Sequence, residues 1–239
     1  MKRIGLLFTA ILSVLTTSCD TNDDEVVVVV ISEERAAEII ASSLAYNTYG
    51  LASVVNYVSN EISQELECGE QGENNGTNTF SSSFVQYTYT FDETFSRTCT
   101  DTEQVNYDFT ALQDIDAFYF ASRQDVEGGF VVTGLEESAP SELFNGNYQR
   151  EGDWFSKVFE DSLDVLLNIN FNELNVSKDT YFITSGISDF SLDVDYSETD
   201  ESTSFRGTVT FLNEDEARID FENGDSFLLN LNDGSIQRI

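Results

Sequence analysis

A mainly β protein with helices on its N-terminal side (α+β) is the fold class this sequence predicts. The strands are expected to form an antiparallel meander, either an open barrel or a strongly curved sheet, packed by one or two helices. Three observations lead there. Apolar residues recur at helical spacing up to Leu66, the period drops to two after Thr79, and the single proline, Pro140, leaves the later strands uninterrupted. The chain has 239 residues, with 19 Phe and 10 Tyr in a hydrophobic fraction of 40%, which is enough apolar material to build a core despite a net charge of −33.

Ser32 offers an N-cap, and Glu33 and Glu34 suit the positive end of a helix whose apolar side is Ala36, Ala37, Ile39, Ile40 and Leu44. Gly50 breaks or bends it. Val54, Val55, Val58, Ile62 and Leu66 then line one face of a second stretch, with Asn56, Ser59, Asn60, Ser63, Gln64 and Glu67 expected to face away. Residues 69–78, rich in Gly and Asn, read as a flexible loop between this helical segment (32–68) and a β domain (79–239). Residues 26–31 are β-branched and suggest a buried strand or an edge segment.

Alternation is clear at Val85, Tyr87, Tyr89 and Phe91, and again at Val105, Tyr107 and Phe109. Residues 117–121 are apolar on both faces, which predicts a central strand. Further strands are expected over 130–134, 143–150, 154–159, 163–174, 187–196 and 205–212. The end of the chain reads as a hairpin, with Asn223-Gly224 as a tight turn and Asn232-Asp233-Gly234 turning the chain once more. Phe144 to Tyr148 and Phe205 to Val209 share an aromatic-x-Gly-x-apolar pattern, expected to mark equivalent strand starts.

At the N-terminus, Lys2 and Arg3 precede an apolar run over residues 4–15, and Thr16-Thr17-Ser18 leads into Cys19, the layout of an export signal. That run is shorter than the roughly 20 residues a spanning helix needs, so cleavage after residue 18 is expected rather than a permanent span. The segment resembles a bacterial lipoprotein precursor, in which Cys19 becomes the lipidated first residue. Thr16 stands where that class usually carries an aliphatic residue, and Leu15 sits one place earlier. Asp20 to Glu25 resembles the acidic export tract of surface lipoproteins of the Bacteroidota type. That resemblance implies attachment to the outer membrane through the N-terminal lipid, facing outward. Under enterobacterial rules Asp20 would instead imply inner-membrane retention, and the plain alternative is a secreted chain with an unmodified Cys19. Residues 143–239 are similar to the C-terminal part of uncharacterised Bacteroidota lipoproteins, on Phe144 to Tyr148, Ser156-Lys157-Val158 and Gly207 to Leu212. This resemblance implies location and fold, and no activity.

With Cys19 assigned to lipid, Cys68 and Cys99 form an even pair in an oxidising compartment, and a disulfide is expected. Asp161-Ser162-Leu163 resembles the short O-glycosylation pattern of exported Bacteroidota proteins, which implies sugar on Ser162. No histidine, Gly-rich phosphate cradle, zinc-type spacing or G-x-S-x-G occurs, and the few basic residues form no patch, so nucleic acid is not an expected partner. Asp114 with Asp116, and Asp193 with Asp195, each share a sheet face. Such pairs suit Ca²⁺ or acid–base chemistry, yet in a chain with 44 acids they read first as a solvated face. No catalytic residue, metal ligand or cofactor is assigned. The leading expectation is a lipid-anchored envelope protein, not an enzyme, with a binding or structural role toward an envelope or glycan partner. Two alternatives are a carrier of an apolar ligand in an open barrel and a carboxylate-based glycan hydrolase. The sequence specifies no oligomeric state.

Overall fold

Ser32 caps the first helix, its hydroxyl accepting from the Arg35 N–H at 3.3 Å. The structure, a computed structural model, describes residues 31–100, 102–196, 201–222 and 224–239. The expected signal peptide, Cys19, the acidic tract, residues 26–30 and Asn223 therefore lie outside the described residues. Helix α1 (Glu33–Leu44) buries Ile39, Ile40 and Leu44 and ends at Ala45. A 3₁₀ turn over Tyr46–Thr48 follows, and Tyr49 takes a left-handed conformation at φ 52°. Gly50 then starts α2 (Leu51–Tyr57). A Cβ on Gly50 would lie 2.5 Å from the Leu44 carbonyl carbon, so only glycine lets the two helices meet this closely.

Beyond α2 the chain passes through a π-helical turn (Val58–Ile62) into a last turn, α3 (Ser63–Glu65). This turn corrects one expectation. Ser59 and Ser63 are buried rather than outward, because a π-turn fits an extra residue into the coil and rotates both serines onto the packed side.

Among the described residues eleven strands follow in one sheet whose spatial order is the chain order, every neighbour antiparallel. They are β1 (Gln71–Ser81), β2 (Val85–Thr98), β3 (Gln104–Ala117), β4 (Phe120–Thr133), β5 (Ser141–Ser156) and β6 (Asp161–Ser177). The remainder are β7 (Ile183–Tyr196), β8 (Ser202–Phe211), β9 (Glu216–Phe221), β10 (Ser226–Asn230) and β11 (Ile236–Arg238).

The meander agrees with the sequence reading, with five local corrections. Residues 71–78, expected to be a flexible loop, belong to β1, which pairs with β2 from Gln71 opposite Ser96 to Ser81 opposite Gln86. Phe118 and Tyr119, placed in a central strand, form the exposed β3–β4 turn instead. The strand expected over 143–150 and the first part of that expected over 154–159 are the single strand β5, residues 157–159 belonging to the turn after it, and the two aromatic-x-Gly patterns fall inside β5 and β8 rather than at their starts. The β9–β10 connection is longer than a two-residue turn, since the last ladder pair is Asp220 with Ser226 and the Phe221 N–H donates to Asp225 O.

Neither edge strand pairs with the other, so the sheet stays open, yet it is strongly curved. Strand spacing of about 4.8 Å would put β2 and β10 roughly 38 Å apart in a flat sheet. The short segment Tyr46–Tyr49 nevertheless touches both sides. The Tyr46 N–H donates to Leu231 O at 2.8 Å, the Asn47 side chain donates to Asp233 O, and the Tyr49 ring lies 4.4 Å from that of Tyr89. The sheet therefore curls around the helices. Its inner face and the apolar sides of α1 and α2 make one continuous core, running from Tyr89 and Tyr107 through Phe130, Tyr148, Leu167 and Leu192 to Leu229.

Candidate functional site

Polar side chains that stand in phase with the apolar inner face are carried into the core, among them Glu93, Gln113, Glu142 and Arg150. All four are at least 97% buried. Each meets the helical layer. Glu93 accepts from the hydroxyls of Tyr57 and Tyr107, both at 2.6 Å, and from the Asn74 amide at 3.1 Å. Burial, reinforced by the bond to Glu93, pushes both phenols well above their ordinary range, so they remain donors.

Glu142 accepts from Ser59 Oγ at 2.6 Å and from Gln64 Nε2 at 3.1 Å. Burial raises its pKa. The Ser59 bond, Lys178, the Gln64 bond and Arg97 each pull it back down. The π-turn is what brings Ser59 to this carboxylate. A Ser–Glu pair can in principle deprotonate a hydroxyl, but both groups here are sealed from solvent at 0% exposure. The arrangement satisfies a buried charge and fixes the helix on the sheet.

Arg150 is met by oxygens of neutral groups: it donates to Tyr148 Oη at 2.6 Å, Tyr49 O at 3.1 Å and Ser42 O at 3.3 Å. Ser42 O belongs to the last turn of α1, which carries no basic residue of its own, so the sheet supplies the positive charge that the helix C-terminus favours. Gln113 Nε2 adds a bond to Thr48 O at 2.6 Å. Sequence reasoning missed this whole layer. Its signal was available, because Glu93 continues the alternation of Tyr89 and Phe91, Glu142 that of Phe144, and Arg150 that of Tyr148.

Of the residues singled out from sequence, the structure brings Cys68 and Cys99 together in a disulfide with Cα atoms 5.7 Å apart. Glu103 lies beside the two sulfurs, a grouping of metal-ligand type. With both sulfurs bonded to each other, only the carboxylate remains as a donor, and it accepts from Arg97. Ser162 is exposed at the start of β6, and the neighbouring Asp161 pairs with Arg35. Both Asp pairs lie on the outer, solvated face. Asp114 pairs with Arg123 at 3.7 Å, Asp116 with Lys157, and Asp193 accepts from Ser204. A depression of about 640 Å³, open to solvent, covers Thr79, Thr88, Asp114, Asp116, Arg123 and Asp153. No protein-family model, curated protein or solved structure matches the chain.

Proposed function

We propose that this chain is a cell-envelope protein held to the outer membrane by acyl groups on Cys19, with a folded part that binds or supports there without catalysis. The export-type N-terminus and the acidic tract after Cys19 support the tether. One structural observation carries the rest of the reading. The concave face of the sheet, where a barrel-like fold would hold a substrate or an apolar ligand, is occupied by the chain's own Leu51, Val54, Val55 and Val58, each at most 2% exposed. The charged groups on that face are consumed in holding the helices. What is left for a partner is the exterior.

Detergent phase partition of the protein extracted from its native membrane tests the reading. The chain is expected in the detergent phase and to move to the aqueous phase when Cys19→Ala is introduced. Wild-type protein recovered in the aqueous phase would overturn it.

A further inference from the structure

Strand direction alternates, so the turns fall in two sets at opposite ends of the sheet. At one end, three successive turns carry Phe84, then Phe118 and Tyr119, then Val158 and Phe159, each between 61% and 75% exposed. The turns are joined. The Phe118 N–H donates to Phe84 O at 2.8 Å, the Lys157 N–H donates to Tyr119 O at 2.9 Å, and the Phe118 and Tyr119 rings meet edge to face. Phe80 and Phe155 extend the patch onto the adjoining strands, at 44% and 38% exposure. An apolar rim of this kind on a chain with net charge −33 calls for a partner.

The same end receives the N-terminal side of the described chain. In the first turn of α1, Arg35 pairs with Asp161 at the start of β6 and lies 5.0 Å from the Phe159 ring, and Glu33 accepts from the Asp225 N–H in the β9–β10 connection. Ile31 therefore enters beside the rim. It stands twelve positions after Cys19, and a fully extended chain of that length reaches about 40 Å at most. Among the described residues of the three aromatic turns, the charges are Lys157, which pairs with Asp116, and Glu160. The turns at the far end instead carry Glu103, Glu136, Glu137, Asp179, Glu214, Asp215 and Asp233 against one cation, Lys178, among the described residues.

We infer that the aromatic rim formed by the β1–β2, β3–β4 and β5–β6 turns docks on the lipid bilayer surface. It orients the sheet end-on, with the acidic turns pointing away into water. The inference rests on the Cys19 tether, which presents this end to the bilayer. Phenylalanine and tyrosine at turn tips lose water on entering the headgroup region, and the tyrosine hydroxyl stays wet there. Glu201, Glu222 and Asp225, at the same end beyond β6, remain in the aqueous layer, so contact runs through the β1–β6 sector.

The test uses the full mature chain on phosphatidylcholine vesicles, which lack the anionic headgroups that its charge would repel. An environment-sensitive fluorophore is placed through Phe118→Cys or, at the far end, Glu137→Cys, and intact mass of the same sample reports acylation at Cys19. On acylated protein the probe at 118 is expected to shift to the blue while the probe at 137 stays water-like. If both stay water-like, docking is overturned and the anchor stands. If the sample carries no acyl group the anchor fails, and the rim is then judged by flotation of that unacylated chain. Binding should fall by roughly tenfold for each of Phe84→Ser, Phe118→Ser and Phe159→Ser. Absence of binding, or binding that these changes leave intact, overturns the docking too.

Discussion

Reduction of the Cys68–Cys99 bond is expected to loosen β1 before the rest of the sheet. The bond closes a loop of 31 residues that contains the whole β1–β2 hairpin. For a loop of that length, chain entropy assigns about 3.7 kcal/mol of stabilisation. The loss falls unevenly, because β1 is an edge strand, its side chains are mostly exposed, and β2 is its one ladder partner. Close to the bond the chain is also held by the Gly69 N–H to Arg97 O and Arg97 N–H to Glu70 O contacts and by the Arg97 side chain, which donates to Ser63 O and Leu66 O. Urea unfolding followed through Trp154, the sole tryptophan, compares wild type with Cys68→Ser/Cys99→Ser. At a slope of about 3 kcal/mol/M the midpoint should drop by roughly 1 M. Hydrogen exchange should show amides of β1 opening while those of β6, buried in the core, stay protected. Unchanged midpoints together with unchanged exchange in β1 would refute the reasoning.

Three further outcomes follow from the buried polar layer and the helix crossing. Because burial raises the Glu142 pKa above its ordinary 4.5, the folded chain holds that proton more tightly than the unfolded one. This contribution to stability is full below pH 4.5 and is lost as pH rises through the folded value, so Glu142→Gln should gain on wild type from pH 4 to 7. Urea midpoints across that range check it, and a difference that is flat or shrinks with pH speaks against it. Ser59→Ala strips the 2.6 Å bond from the same carboxylate and should cost about 1–3 kcal/mol, read from the same midpoints. Gly50→Ala forces a methyl against the α1 backbone and should lower stability by about 1–3 kcal/mol; a neutral result would mean that the α1–α2 crossing yields easily.

The meander was legible because a sheet with one wet face writes its period directly, as β9 and β10 do with Ala217, Ile219, Phe221, Phe227 and Leu229. Other parts were hidden for physical reasons. β1 has one apolar side chain, Phe80 near its end, and its inner positions Gly72 and Gly76 are filled from β2. A Cβ there would fall 2.4 Å from the Phe95 ring and 3.0 Å from that of Phe91, so the neighbour supplies what the strand's own sequence lacks. Phe118 and Tyr119 satisfy the pattern of a doubly buried strand equally well when they stand in water at a turn, and periodicity cannot separate the two. The inward turn of Ser59 depends on a local change of helix type with no marker in residue pattern. Glu93, Glu142 and Arg150 were within reach, since a charge in phase with aromatic neighbours signals a buried, bonded group.

The proposed tether depends on the chemistry of one sulfur, that of Cys19. Intact-mass analysis of the protein isolated from its native membrane is predicted to give a chain that begins at Cys19 and carries the added mass of acyl groups on that residue. A chain that begins elsewhere, or a Cys19 thiol without acyl mass, would contradict the tether.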